Sequence, residues 1–360
     1  MARAVEISQA SSLRRGLIGS WRNALTTLLV GVVAMRAALA LFDWAVIRAS
    51  LGTTPESCRA GTGACWSVIA EMWPLFMVGL YPEAERWRIV VVALIVAGMA
   101  LALAFRSLRR WRILGPLAVA ATLAIAALVH GGALVGLARV ETQLWGGLLL
   151  TAILAVVGQS LALPLGIVLA LARRSATMPI VRAAATAYIE LVRSVPLVMI
   201  LLMATLILPL FLPHGTRLDT LMTAQIGIIL FSAATIAEVV RGGLQGVPKD
   251  QVEAAQALGL GYWSTTALVV LPQALRLVLP ALVNTLITFI KGSSLVVAIG
   301  MYDLLGAAML VSANERWVGR TVEPLLFVAL IYWLACYGLS RASRRLERRY
   351  GRASGGGTVR

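Results

Sequence analysis

An all-α fold, a polytopic helical membrane protein with about eight transmembrane helices, is predicted by three features of this sequence. Of its 360 residues 59% are hydrophobic and only 13% charged, and the mean hydropathy is +0.86. A soluble domain has roughly 45 to 50% apolar and about 25% charged residues. The apolar residues fall in long runs, each of about the 20 residues needed to cross a hydrocarbon core roughly 30 Å thick. Basic residues gather in alternate segments between those runs. Soluble enzymes, disordered chains and disulfide-rich secreted scaffolds do not have this pattern. A membrane barrel would show weak ten-residue alternation instead.

At the N-terminus, Arg3, Arg14, Arg15 and Arg22 precede a first apolar run at about 24 to 47. That run is too long for a cleaved leader and lacks a small-residue cleavage site, so it is expected to stay as an anchor. Within it Arg36 and Asp43 lie seven apart on one helical face; an inward structural pair is the expectation, a transport role the other reading. A hydrophilic loop, 48 to 86, carries Cys58 and Cys65. Runs at about 87 to 105 and 113 to 136 flank Arg106, Arg109, Arg110 and Arg112. Run 145 to 172 leads to Arg173, Arg174 and Arg182. Runs at 188 to 212, 222 to 242, 273 to 299 and 324 to 340 complete the set, and the tail holds Arg341, Arg344, Arg345, Arg348, Arg349 and Arg352.

The loops 48 to 86, 137 to 144, 213 to 221 and 300 to 323 carry few bases, so an even number of spans with both termini in the cytoplasm satisfies the positive-inside rule. This topology accounts for the net charge of +16, in which all but Lys249 and Lys291 of the 32 basic residues are Arg, without a nucleic-acid partner. It also places Cys58 and Cys65 outside, in an oxidising compartment, where a disulfide closing their short loop is expected. Cys336, alone in an apolar run, reads as a small core residue.

The segment from Arg241 to Pro272 is unlike the other loops. It is patterned as helix, turn, helix: Pro248 suits a first helical turn, Gly259 a left-handed stop, and Ser264 a cap for the next helix. The centre of the first helix, Ala254 and Ala255, is small enough to admit another protein's groove. From the residues alone, an amphipathic helix resting on lipid headgroups is an equal reading.

Glu253, Ala254, Ala255, Gly259 and the apolar stretch from Leu268 through Leu271 to Pro272 resemble the EAA loop of ABC-transporter permeases of the importer type. The flanking segments Glu190 to Leu197, Glu238 to Gln245, Leu271 to Arg276 and Ile290 to Gly300 look like the polar amino acid permease subfamily, the histidine and glutamine permease class. The loop from Gly63 to Trp66, Tyr81 with Pro82, and Glu85 to Trp87 resemble the larger permease subunit of general L-amino acid importers, so the resemblance covers nearly the whole chain. It implies a type I importer permease core in the bacterial inner membrane. In that family the short helix docks on the ATP-binding subunit, which would make Glu253, Ala254, Ala255, Gly259, Leu271 and Pro272 the coupling residues. It also implies an ATP-binding subunit dimer, a second homologous permease subunit, a periplasmic amino-acid-binding protein and an amino acid substrate.

The residues missing from the chain fit that division of labour. No Gly-x-x-x-x-Gly-Lys-[Ser/Thr] occurs, so ATP is expected on another chain and no cofactor on this one. His130 and His214 lie far from any Cys, Asp or Glu constellation, which leaves neither a metal site nor catalytic residues; the protein is expected to be a transport subunit, not an enzyme. An amino acid crossing the bilayer needs partners for an ammonium and a carboxylate. Candidates for the pathway or gate are Glu190 with Arg193, Glu238 with Arg241, and Lys291 with Ser293 and Ser294. The two i, i+3 pairs most simply neutralise each other, whereas Lys291 is the stronger pathway candidate.

The resulting division is 1–140 for the tail, a three-span extension and its outside loop; 141–345 for a five-span core with its coupling loop at 246–272; and 346–360 for a basic tail. Import by alternating access is the expected mechanism. An ion-coupled secondary transporter is the alternative, although the internal repeat it would want is not evident.

Overall fold

The computed structural model describes residues 19–52, 58, 61–104, 120–121, 124–132, 136–175, 177–213 and 218–354. His214, the arginines of the turn at 106–112 and half of the run predicted at 113–136 lie outside them, although residues 120–121 and 124–130 are helical. Five described helices are long and apolar enough to cross a membrane, and a bent pair makes six. The helix at Trp87–Ala104 coincides with another predicted run. The chain separates into two compact units: the described part of Met1–Glu71 with Glu315–Glu323, and Met72–Asn314 with Pro324–Arg360.

The first unit begins with α1 (Trp21–Phe42), capped by the Ser20 hydroxyl, which accepts from the Asn23 amide. None of its residues is buried, as suits a helix with lipid on all sides. Asp43 does not pair with Arg36 as expected: it starts a π-helical turn, Asp43–Ile47, that swings its carboxylate onto Arg48 just beyond the helix. Cys58 and Cys65 are joined by a disulfide with Cα atoms 5.5 Å apart. Around it, Arg320 donates to the Cys58 carbonyl and, at 3.3 Å, to that of Gly63, while the buried Glu323 carboxylate accepts from the Cys65 amide at 2.9 Å. The Trp66 indole donates to the Ala45 carbonyl, and Arg316 pairs with Glu71 on α2 (Ser67–Glu71) at 2.7 Å.

In the second unit, α3 (Trp73–Val78) and α4 (Trp87–Ala104) precede the core. The core consists of α5 (Gly147–Arg174), α6 (Pro179–Ser194), α7 (Leu197–Leu202), α8 (Thr220–Gly246), α9 (Lys249–Ala257), α10 (Leu271–Gly292), α11 (Leu304–Ser312) and, from Pro324 onward, α12 (Val322–Ser354). Its axis is the α5–α8 pair. Gly158, Ala162, Gly166 and Ala170, four apart on one face of α5, are all buried. A Cβ on Gly166 would lie 2.6 Å from Ile236 Cγ2 and 2.9 Å from the Ala233 carbonyl oxygen of α8. Between helices in lipid, close backbone approach over small residues replaces the hydrophobic drive that water supplies. Gly243 does the same for α8 against Ala274 and Val278 of α10.

The run predicted at 188 to 212 is not one straight span. α6 and the stretch from Leu197 to Phe211 meet at 105°. The cause is local: Val195, preceding Pro196, is pushed to extended backbone (φ −102, ψ 134), and Pro196 can start α7 but not continue α6. Beyond α10 the backbone tightens to a 3-10 stretch, Ser293–Ile299, then turns at Gly300 into α11. Asp303, fully buried, caps α11 by accepting from the Gly306 amide at 3.0 Å and accepts from the Tyr332 hydroxyl of α12 at 2.9 Å. Thr151 of α5 accepts from the Leu304 amide at 3.1 Å, tying α5, α11 and α12 around one polar knot. Burial pushes the Asp303 carboxyl up from its ordinary value, against the hydrogen bonds that favour its charge.

Candidate functional site: the coupling loop, the arginine cluster and the membrane cavity

Nine residues form α9, between Pro248 and Gly259. Pro248 sits at the N-cap with extended backbone, one position earlier than a first-turn proline. Asp250 lies in the first turn, where a carboxylate meets the positive end of the helix dipole. The helix ends with Gly259 at φ +80, and the Leu260 amide bonds back to the Ala255 carbonyl at 3.1 Å, a left-handed stop that favours glycine. The next turn, Tyr262–Thr265, is capped by Gly261, not by Ser264 as expected; Ser264 lies within it.

This helix has two faces. Val252 packs on the cluster containing Val240, Leu244 and Ala274, Ala255 is buried, and Gln251 bonds Gln273 of α10 at 3.3 Å, so α9 is strapped to α8 and α10. Glu253, Ala254, Gln256 and Ala257 are exposed, followed by Leu258 (83%), Tyr262 and Trp263 (65%). The two central alanines are therefore split, Ala254 outward and Ala255 inward, and the small, open surface is half of what the sequence suggested. Large apolar side chains exposed beside a charged helix mark a contact surface. Leu271 and Pro272 open α10 and are half-buried, holding the loop's return rather than lining that surface.

Glu190, Arg193, Glu238 and Arg241 are brought together, but not as two separate pairs. Glu238, with its side chain 16% exposed, takes Arg241 at 2.9 Å, Arg193 at 3.5 Å and Arg173. Glu190 pairs with Arg173 at 2.9 Å, passing over Arg193. One cluster of five side chains thus pins the ends of α5, α6 and α8 together. Local spacing marks Arg173 only as a topology signal, because the two carboxylates it joins lie 17 and 65 residues away along the chain.

Lys291 lies at the end of α10 and is exposed; the Ser294 hydroxyl bonds its carbonyl at 2.9 Å and the buried Ser293 hydroxyl bonds that of Ile290. Neither Lys291 nor either serine lines a cavity of about 320 Å³ that lies between α7, α8 and α10. Its polar lining is Ser232 and Thr235 of α8 with Asn284, Thr285 and Thr288 of α10, amid Leu197, Phe231, Phe289 and Leu295. Gln159 of α5 donates to Ser232 at 2.9 Å from behind. A search of the sequence for charge misses these residues. The available signal is polar side chains recurring at helical spacing inside apolar runs: 232 with 235, and 284 with 285 and 288. Among the described residues no group of three His, Cys, Asp or Glu could hold a metal. His130 is half-buried, edge-on to Trp145.

The profile of the binding-protein-dependent transport system inner membrane component family matches residues 162–352, which takes in the loop, the arginine cluster and the cavity. The chain belongs to that family. It is 46% identical over 343 residues to the inner membrane amino-acid ABC transporter permease protein YhdY of Escherichia coli K12, covering 94% of this chain and 92% of that protein. It is 37% identical to the glutamate/glutamine/aspartate/asparagine transport system permease protein BztC of Rhodobacter capsulatus, covering 80% of this chain and 79% of that one. A crystal structure of an amino acid ABC transporter with histidines superposes with a TM-score of 0.51 at 31% identity, over 56% of this chain and 92% of the other. The protein is a multi-pass inner-membrane transport component rather than an enzyme. At 94% and 80% of this chain, both matches reach into the first 140 residues, so the likeness is not confined to the core.

Proposed function

We propose that this chain is the membrane subunit through which amino acids cross in an ATP-driven, binding-protein-dependent importer. The observation that carries the reading is α9: a nine-residue helix fastened to α8 and α10 by one face and open on the other, with Leu258, Tyr262 and Trp263 beside it. A short rigid lever of this kind passes motion of an attached ATPase into two spans at once. The relatives' names speak of amino-acid transport, which supports amino acids as the cargo class. The Ser232, Thr235, Asn284 and Thr288 lining of the 320 Å³ cavity suits a small polar solute.

In this reading ATP is bound by a partner ATPase dimer, and the chain holds no cofactor of its own. A second, homologous permease subunit completes the pathway, and a binding protein delivers substrate at the outer face. Both termini lie in the cytoplasm. The five-span core from about 141 to 345 turns between inward- and outward-open states. The first 140 residues serve assembly or partner choice, and residues 346–360 form a basic tail.

Co-purification from native membranes tests this directly. The wild type retains an ATPase subunit in mild detergent, and Glu253→Lys or Gly259→Asp releases it while the permease still elutes as a folded species. Retention unchanged in both variants, or no ATPase with the wild type, would end the coupling-helix reading.

A further inference from the structure

At the ends of α5, α6 and α8 lies a recess of about 450 Å³ lined by Arg173, Arg174, Arg182, Thr186, Arg241 and Gln245. Four guanidinium groups around one recess repel each other unless anions intervene. Those available are Glu190 and Glu238, which together take Arg173, Arg193 and Arg241. Five guanidinium groups therefore share two carboxylates, an excess of three positive charges. The C-terminal ends of α5 and α8 absorb part of it, as where Arg174 donates to the Leu244 carbonyl at 3.2 Å. Arg182 is exposed and has no carboxylate partner among the described residues. Membrane insertion explains why arginines lie at this end of the helices, but it asks only for charge in a loop, not for four side chains converging on one recess.

The surroundings of the recess point to the kind of anion. Arg182, Thr186, Glu190 and Arg193 form a polar stripe along α6, and the N-cap Met178 with Ile180 and Val181 of the first turn are exposed, Ile180 at 82%. A helix with one charged face and one apolar face belongs at the headgroup boundary. A free phosphate would satisfy the arginines and leave that apolar turn bare. A phospholipid covers both, and basic pockets between spans at the cytoplasmic boundary suit anionic headgroups.

We infer that the recess between α5, α6 and α8 binds the phosphate headgroup of an anionic phospholipid, whose acyl chains run along Met178, Ile180 and Val181. The bound phosphate brings the cluster towards neutrality and fastens the bent α6 to the two long spans.

The test uses the chain in the complex it retains, exchanged into phosphatidylcholine nanodiscs doped with phosphatidylglycerol, and counts retained phosphatidylglycerol by quantitative mass spectrometry. The wild type is expected to prefer phosphatidylglycerol over phosphatidylcholine. One surface arginine contributes about fivefold to such binding, so Arg182→Gln lowers the apparent affinity about fivefold, Arg182→Lys stays near wild type, and the Arg174→Gln, Arg182→Gln pair falls about 25-fold. No preference in the wild type overturns the site whatever the variants do, as does equal retention by a folded Arg182→Gln protein. Displacement of the lipid by inorganic phosphate alone would make this a free-anion site and overturn the lipid assignment. Loss of the ATPase subunit from Arg182→Gln with lipid retention unchanged would make the recess a protein contact, with the same consequence.

Discussion

Replacing Gly166 by Ala adds one methyl group where α5 and α8 are closest. Its Cβ would stand 2.6 Å from Ile236 Cγ2, 2.8 Å from Ile236 Cβ and 2.9 Å from the Ala233 carbonyl oxygen. Carbon atoms rest about 3.5 to 4.0 Å apart, so the approach is about 1 Å too close. Neither neighbour can turn aside, because a β-branched side chain in a helix holds one rotamer and a carbonyl is fixed by its helix. The helices must separate locally. Overpacking of this kind costs about 1 to 3 kcal/mol, offset by the roughly 0.5 to 1 kcal/mol that Ala gains over Gly inside a helix. The net loss centres near 1 kcal/mol and reaches about 2.5 kcal/mol at most, read as a drop of a few degrees in the thermal midpoint of the detergent-solubilised protein followed by size exclusion. Gly31→Ala in α1, where the added Cβ meets nothing within 4 Å, is the control and rises slightly. In the Gly166→Ala background Ile236→Ala costs less than it does alone, with a coupling of about 1 kcal/mol. The rescue is partial, since the Ala233 oxygen remains. If Gly166→Ala behaves like Gly31→Ala, the small-residue seam is not what sets the α5–α8 distance.

Three further outcomes are expected. Glu238→Ala leaves Arg173, Arg193 and Arg241 facing one another around a mostly buried position, and should cost about 2 to 4 kcal/mol; Arg241→Ala, which leaves Glu238 its other two partners, should cost less, and thermal midpoints that rank the two in reverse would contradict the cluster. Asp303 has its folded-state carboxyl pushed up by burial, so its stabilisation is complete below the unfolded value and is lost as pH rises through the folded one. Asp303→Asn keeps an oxygen for the Gly306 amide and removes that titration, so wild type minus variant stability should fall with rising pH from about pH 4 upward; a flat difference would contradict it. Reducing the Cys58–Cys65 bond, a loop with a sequence separation of 7, should cost about 2 to 3 kcal/mol by chain entropy. Protease nicking of the 48–86 loop in the Cys58→Ser, Cys65→Ser protein measures it, and unchanged protection would argue that Arg320 and Glu323 hold the loop without the disulfide.

Much of this architecture is legible one segment at a time. Apolar runs of membrane length, arginines in alternate loops, and a turn built from Pro248 and Gly259 are local properties, because crossing lipid is a problem each segment solves within its own backbone. The 105° bend between α6 and α7 is equally local: Val195 before Pro196 is a break written in two residues, and hydropathy averaged over a long window hides it. The proposed coupling surface is half legible. The helix and its stop can be read, but which of Ala254 and Ala255 faces outward depends on how α9 is rotated against Val240, Leu244 and Ala274.

The sequence by itself determined the class of protein, most of its apolar spans, and the short helix between Pro248 and Gly259 on which the proposed ATPase contact rests. Tertiary structure alone decided which charges meet. Arg173, Glu190 and Glu238 lie on three helices, and spacing along one helix assigned Glu190 to the wrong arginine. The same holds for the cavity, whose polar groups come from α8 and α10, two helices that approach closely where Gly243 meets Ala274. The physical reason is range. Hydropathy and turn chemistry act between neighbours in the chain, whereas ion pairs and cavities depend on distances between helices, which are set by the small residues packed between them.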